Sequence, residues 1–162
     1  MPATPITASL RYINPGVTKI VWADTLANKN NPLRAEINAG TDLTREVQNA
    51  DGWVTESENV ETPDLDSEFT GKIPGRTSAE DSSLAFYASE DGTDVRGLLQ
   101  RGDAGYIMIF DGGDVAGRKM RVFPVRVSSV GMPIDVEGGD AAVVNVSFAI
   151  TSEPAENVAV PA

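Results

Sequence analysis

Ala142 to Thr151 alternates without a break. Val144, Val146, Phe148 and Ile150 fall on one side of an extended chain, and Val143, Asn145, Ser147 and Ala149 on the other. Successive side chains of a strand point to opposite faces, so the pattern specifies a strand with one face in a core. The other face is small and uncharged. Lys119 to Val130 repeats the pattern over a longer run, with Phe123, Val125 and Val127 alternating against Val122, Pro124, Arg126 and Ser128. Pro124 cannot donate to a ladder, which puts it at an edge or a kink.

Other segments read the same way. Thr18 to Trp22 is a strand after a Pro-Gly turn, Ser82 to Ala88 places Leu84, Phe86 and Ala88 on one face, and Gly105 to Phe110 is apolar. Ala23 to Pro32 is Asn-rich loop, and Leu33 to Ala39 is a further candidate strand. Asp51-Gly52 between Thr41–Val47 and Trp53–Val60 is a hairpin signal. Glu61 to Asp81 lacks periodicity and reads as a long irregular loop, of a length that usually carries function. Asp91 to Asp94 can cap a helix over residues 93–101, whose apolar stripe is Val95, Leu98 and Leu99. The expected fold is mainly β: an antiparallel sandwich or half-barrel with one flanking helix. The expected organisation is an arm over residues 1–16, a β-domain over 17–151 and a second arm over 152–162.

Composition then removes whole classes of chemistry. The 162 residues contain no cysteine and no histidine, which excludes disulfides, Ser-His-Asp triads, Cys-His dyads and His or Cys metal sites. No apolar run is long enough for a membrane helix, and Met1 to Gly16 has no apolar h-region, so neither a span nor a secretory signal is expected. Gly71 to Thr77 imitates a phosphate loop, but it is one residue short, has Arg76 where lysine is required, and leads into no helix. Asp111-Gly-Gly-Asp114 and Glu137-Gly-Gly-Asp140 supply too few oxygens for a calcium loop and read as turns. No catalytic residue, metal or cofactor is expected. A carboxylate-dependent hydrolase would need only Asp and Glu, but this chain shows no aromatic sugar platform. A β-sandwich adhesion or carbohydrate-binding module, or another virion part such as a tail-tip or decoration protein, is the alternative reading.

The charge is local. Residues 42–94 hold 14 of the 24 carboxylates against three of the 13 basic side chains, which accounts for the entire net charge of −11. Such a chain is a poor ligand for phosphate backbones. Acidic runs are commonly solvated faces, but here the rest of the chain is neutral.

Ala35 to Leu43, the Gly52-Trp53 step, VETPDLDSEFTGKIPGRTSAEDSSLAFYA (Val60 to Ala88) and KMRVFPVRVSSVGMPIDVEGGDAAVVNVSFAITSEP (Lys119 to Pro154) together resemble the major tail tube proteins of long-tailed, siphovirus-type phages, most closely those of actinobacterial hosts. The resemblance implies a structural virion protein and not an enzyme. It implies a half-barrel whose hexameric rings close into one β-barrel and stack into a tube for viral DNA ejection. The implied partners are further copies of the chain, a tape measure protein in the lumen, and tail terminator and distal tail proteins at the ends. Double-stranded DNA would pass without specific binding. The implied location is the virion tail, assembled in the host cytoplasm, with no membrane insertion by this chain. Glu56, Glu58, Asn145, Ser147 and Ser128 are the candidates for the lumen, where acidic and small polar groups would repel or ignore phosphates. Arg126 is the awkward residue on that register. Asp64, Asp66, Glu68, Phe69, Lys72, Ile73 and Arg76 are the candidates for an inter-ring loop.

Overall fold

The two alternating runs of the last third lie side by side as antiparallel strands in a computed structural model that describes residues 3–162. Ten strands carry the fold: β1 (Lys19–Ala23), β2 (Thr41–Asp42), β3 (Val47–Asp51), β4 (Thr55–Thr62), β5 (Gly71–Ala79), β6 (Ser82–Tyr87), β7 (Ala104–Phe110), β8 (Lys119–Gly131), β9 (Val143–Ile150) and β10 (Ala155–Ala159). Eight of them form one sheet in the order β2-β1-β7-β8-β9-β6-β3, with β10 also beside β8, while β4 and β5 pair only with each other. The architecture is mainly β, as the alternation requires.

The sheet has apolar residues on both faces. Its inner face supplies Trp22, Ile107, Phe123, Val125, Phe86, Val146 and Phe148 to one core, closed by Leu43, Trp53, Val95 and Leu99. The terminal strands β2 and β3 are consecutive in the chain. Between them Leu43 N–H donates to the Ile20 carbonyl at 2.9 Å, and Tyr87 N–H donates to the Glu46 carbonyl at 2.9 Å. This short link therefore bonds to both ends of the sheet, which curls round the inner core. On the outer face a second core covers β1, β7 and the start of β8: Val21, Met108, Phe110, Met120 and Val122 meet Leu26, Ile37, Val158 and Val160.

Strand β8 runs 13 residues and changes partner midway, from β10 (Ala155 opposite Val122) to β9 (Ile150 opposite Val125). Pro124 sits at this hand-over. Its carbonyl accepts from Thr151 N–H at 3.0 Å, and its missing N–H faces the gap between the two partners. The strand is thus central in the sheet, not an edge.

Several expectations are corrected. Leu33 to Ala39 is not a strand: Arg34–Ala39 is a short helix, α1. Over seven residues, alternation and helical spacing are hard to separate, and Glu36 decides the matter. Its carboxylate accepts from Leu33 N–H at 2.8 Å and Ala27 N–H at 2.7 Å. Residues 93–101 form only a single 3-10 turn over Val95–Gly97, since Gly97 falls inside the expected helix. Within the expected arm 152–162, β10 adds a strand to the sheet, and Ala155, Val158 and Val160 are buried.

The middle third changes most. Asp51-Gly52 does not turn β3 back on β4. β3 pairs with β6, and β4 continues outward to pair with β5. Residues 47–62 and 71–87 are one long two-stranded ribbon, bent at Gly52-Trp53, and the supposed loop 61–81 is its far strand with a tip at residues 63–70. The bend is built. Gly52 and Trp53 have φ of 81° and 62°, the Trp53 indole enters the inner core, and it meets Phe123 edge-on at 5.2 Å. Trp53 N–H donates to Ser82 Oγ at 2.9 Å, and its carbonyl accepts from Arg121 Nη1 at 2.9 Å. Arg121 is itself held by both oxygens of Asp111.

A Cβ on Gly52 would lie 2.8 Å from Ser82 Oγ and 2.9 Å from the Asp81 carbonyl, whereas one on Gly92, also at positive φ, meets nothing within 4 Å. Gly92→Ala should cost about 1 kcal/mol, from the left-handed backbone alone. Gly52→Ala should cost about 2–4 kcal/mol because the clash adds to that term. Urea unfolding midpoints of the two variants check the difference.

Candidate functional site

Because α1 and β10 cover only one end of the outer face, the face of β3, β6, β9 and the far half of β8 is left bare. Its residues follow from the register. Asn145 lies between Ala85 and Gly131, and Ser147 between Ser83 and Ser129. Asn49 and Asp51 continue these two rows on β3, and Asn49 Nδ2 donates to Asp51 at 3.0 Å. All of these are exposed or half-buried. The face is small, polar and almost uncharged.

The structure brings Asn145 and Ser147 together at the centre of this face. Ser128 falls in the bulge between Val127 and Ser129, so Ser129 takes the place beside Ser147. Arg126 stands opposite Ala149 and Ala104, exposed, and belongs to none of the ion pairs among the described residues. Ser83, Ala85, Asn49, Asp51 and Ser129 were missed by the sequence reading. Their own strands do not mark them; only cross-strand pairing does.

Glu56 and Glu58 do not share this face. They lie exposed on β4, in the distal part of the ribbon. Of the loop candidates, Asp64, Asp66, Glu68 and Phe69 are in the tip, and Lys72, Ile73 and Arg76 are on β5. The tip is ordered by local turns, with Asp66 N–H on Asp64 at 2.9 Å and Phe69 N–H on Ser67 Oγ at 3.0 Å. Lys72 pairs with Glu61 at 3.1 Å. Val60 stands opposite Ile73 with both exposed, and Leu65 and Phe69 at the tip are almost fully so. A two-stranded ribbon with both faces in water is marginal by itself. The phosphate-loop lookalike Gly71 to Thr77 is simply part of β5, and the carboxylates of Asp111 and Asp114 are engaged by Arg121 and Arg34.

Where β6 leaves the sheet, Asp94 anchors the turn that follows. Its side chain is 2 % exposed. It accepts from Arg96 through two guanidinium nitrogens at 2.8 and 2.6 Å, and from Ser89 N–H at 3.0 Å. These bonds, the arginine's first, hold its carboxyl well below the usual carboxylate range. A depressed value stabilises the fold above the ordinary carboxylate pKa, and that contribution is lost as pH falls toward the folded value. Asp94→Ala should therefore lower stability by about 1–2 kcal/mol near neutrality. Its deficit against the parent should shrink below about pH 4, as read from thermal melts across pH 7 to 2.

A sequence-family model described as phage tail tube protein matches residues 6–162. No protein of curated function matches the chain. Among solved structures, a chain of the sheath/tube terminator of the PVC extracellular contractile injection system, in its extended state, superposes with a TM-score of 0.64. It is 13 % identical and covers 91 % of this chain and 97 % of its own. A chain of the tube-terminating cap of the anti-feeding prophage gives 0.58 at 16 % identity, covering 97 % and 96 %. One from the PVC sheath-tube complex gives 0.58 at 14 %, covering 86 % and 88 %. At these identities the likeness is one of fold.

Proposed function

The chain belongs to the phage tail tube protein family, structural components of the virion tail and not enzymes, and from that premise we propose that it is the major subunit of the tube. In this reading six copies close into a ring, and rings stack into the conduit through which the DNA of a long-tailed phage reaches the host. The observation that carries it is the bare face of β3, β6, β9 and β8. An antiparallel sheet can keep one face in water, but here that polar four-strand face is small, nearly free of charge and continuous across the strands. A channel wall needs such a face. Asn49, Ser83, Asn145, Ser147 and Ser129 offer sliding phosphates no cation, and Arg126 lies one row away, opposite Ala149.

The distal ribbon serves the same reading in two ways. β4 and β5 each keep one edge unpaired, a liability that joining a neighbour's strands removes. In the assembly the ribbon would bring Glu56 and Glu58 to the lumen beside the neutral face, and repulsion over about 8 Å at physiological salt suits a narrow channel. The exposed apolar groups at Val60, Leu65, Phe69 and Ile73 are suited to the adjoining ring. A tape measure protein would fill the lumen during assembly in the host cytoplasm, and terminator and distal tail proteins would close the ends.

Purified protein at high concentration should form rings or tubes in negative-stain electron microscopy. Glu56→Lys with Glu58→Lys should leave them intact. Because the double change shifts the net charge by +4 per subunit, DNA delivery should fall about tenfold or more. Full infectivity with the double variant would remove these glutamates from the channel.

A further inference from the structure

At the β6–β9 end of the bare face, where Tyr87 stands opposite Val143, the connection from β8 to β9 forms a second unpartnered surface. An open groove of about 710 Å³ is lined by Tyr87, Met132, Pro133, Ile134 and Val143 together with the carboxylates Asp135 and Asp140. Ile134 is 87 % exposed and Val136 92 %. The connection is tethered, since Arg96, itself fixed by Asp94, points Nη1 at Met132 Sδ over 3.7 Å. Residues 132–142 carry three carboxylates (Asp135, Glu137 and Asp140) and no basic side chain. The surface is therefore both apolar and acidic.

The chain contains one segment of the opposite character. Residues 3–13 have a single charged side chain, Arg11, and no carboxylate. They hold Ile6, Leu10, Tyr12 and Ile13, exposed at 96, 93, 51 and 75 %. These eleven residues form no helix or strand, and extended they reach roughly 36 Å, far enough to touch an adjacent subunit. The arm leads into β1, and in the single subunit its apolar residues stay exposed and do not occupy their own groove.

We propose that the groove between the 132–142 connection and the Tyr87–Val143 end of the sheet receives the N-terminal arm of a second copy of this chain. Ile6, Leu10 and Ile13 bury against Tyr87, Met132 and Ile134, and Arg11 meets Asp135 and Asp140. Each copy then gives an arm and receives one, a head-to-tail contact of the kind that builds closed rings and filaments. The inference rests on the reading of the protein as a self-assembling tube subunit, and it adds which surfaces meet.

The absence of native cysteine makes the contact testable by disulfide trapping. Leu10→Cys and Ile134→Cys are placed in separate copies carrying tags of different mass, mixed, assembled and mildly oxidised. The proposal expects a mixed-tag dimer in assembled material and little in dilute subunits. Tubes that form without that dimer would overturn the arm contact while leaving the tube reading in place. Failure of the parent chain to assemble at all would overturn both. A single chain bearing both cysteines, oxidised at high dilution, reports the competing case: an internal disulfide there means the arm takes its own groove, which also refutes the proposal. As an independent arm, Arg11→Glu should raise the concentration needed for assembly about threefold to fivefold, and Asp135→Lys with Asp140→Lys should restore it. No shift, or no rescue, would contradict the charge pairing.

Discussion

The Gly52-Trp53 step decides where the sheet stops and where the free ribbon starts. Two consecutive left-handed residues turn the indole inward, where it packs on Phe123 and Phe148, and the strand that should have continued straight is redirected. Ser82 below and Arg121 beside it satisfy the backbone that the bend exposes. Without that anchor β3–β4 and β5–β6 would be a single extended hairpin with no fixed direction. With it, the inner half of the ribbon is sheet and the outer half is a projecting element held at its root by the core.

From this anchor follows a division of the molecule. One end of the sheet is buried on both faces, by the inner core on one side and by α1 and β10 on the other. The other end is buried on one face only. The apolar groups that a folded chain would normally hide are concentrated on three segments, the N-terminal arm, the ribbon and the 132–142 connection. A subunit so built is complete in its core and incomplete at its periphery, which is the physical condition for a protein that finishes folding its surface by assembling.

The legibility of these parts in the sequence followed burial. β6, β7, β8 and β9 each bury one face, so Leu84, Phe86, Phe123 and Val146 announce their strands by alternation. β4 and β5 are water-exposed on both sides and carry no such signal: TESENVET reads as a strand only through the neighbouring Asp51-Gly52, which assigns it the wrong partner, and GKIPGRTSA reads as loop. β10 was hidden for a different reason: Asn157 adopts φ 57° in a bulge, which puts the buried Ala155 and Val158 three residues apart instead of two. At the bare face, Asn145 and Ser147 could be found on β9, because the strand alternates so clearly. Their neighbours Ser83, Ser129 and Asn49 depend on register, which no single strand encodes. The charge asymmetry was visible from composition. Its location on a projecting ribbon, away from the neutral face, was not.

The central claim is that the distal ribbon is unsupported in one subunit and acquires its partners from others. Amide hydrogen exchange of β4 and β5 measures this directly, in dilute protein and in assembled tubes. The account predicts fast exchange at residues 55–62 and 71–79 in the dilute state, against strong protection of β7, β8 and β9, and a large gain of protection in the ribbon on assembly. Full protection of the ribbon in the isolated subunit, or no change between the two states, would contradict it.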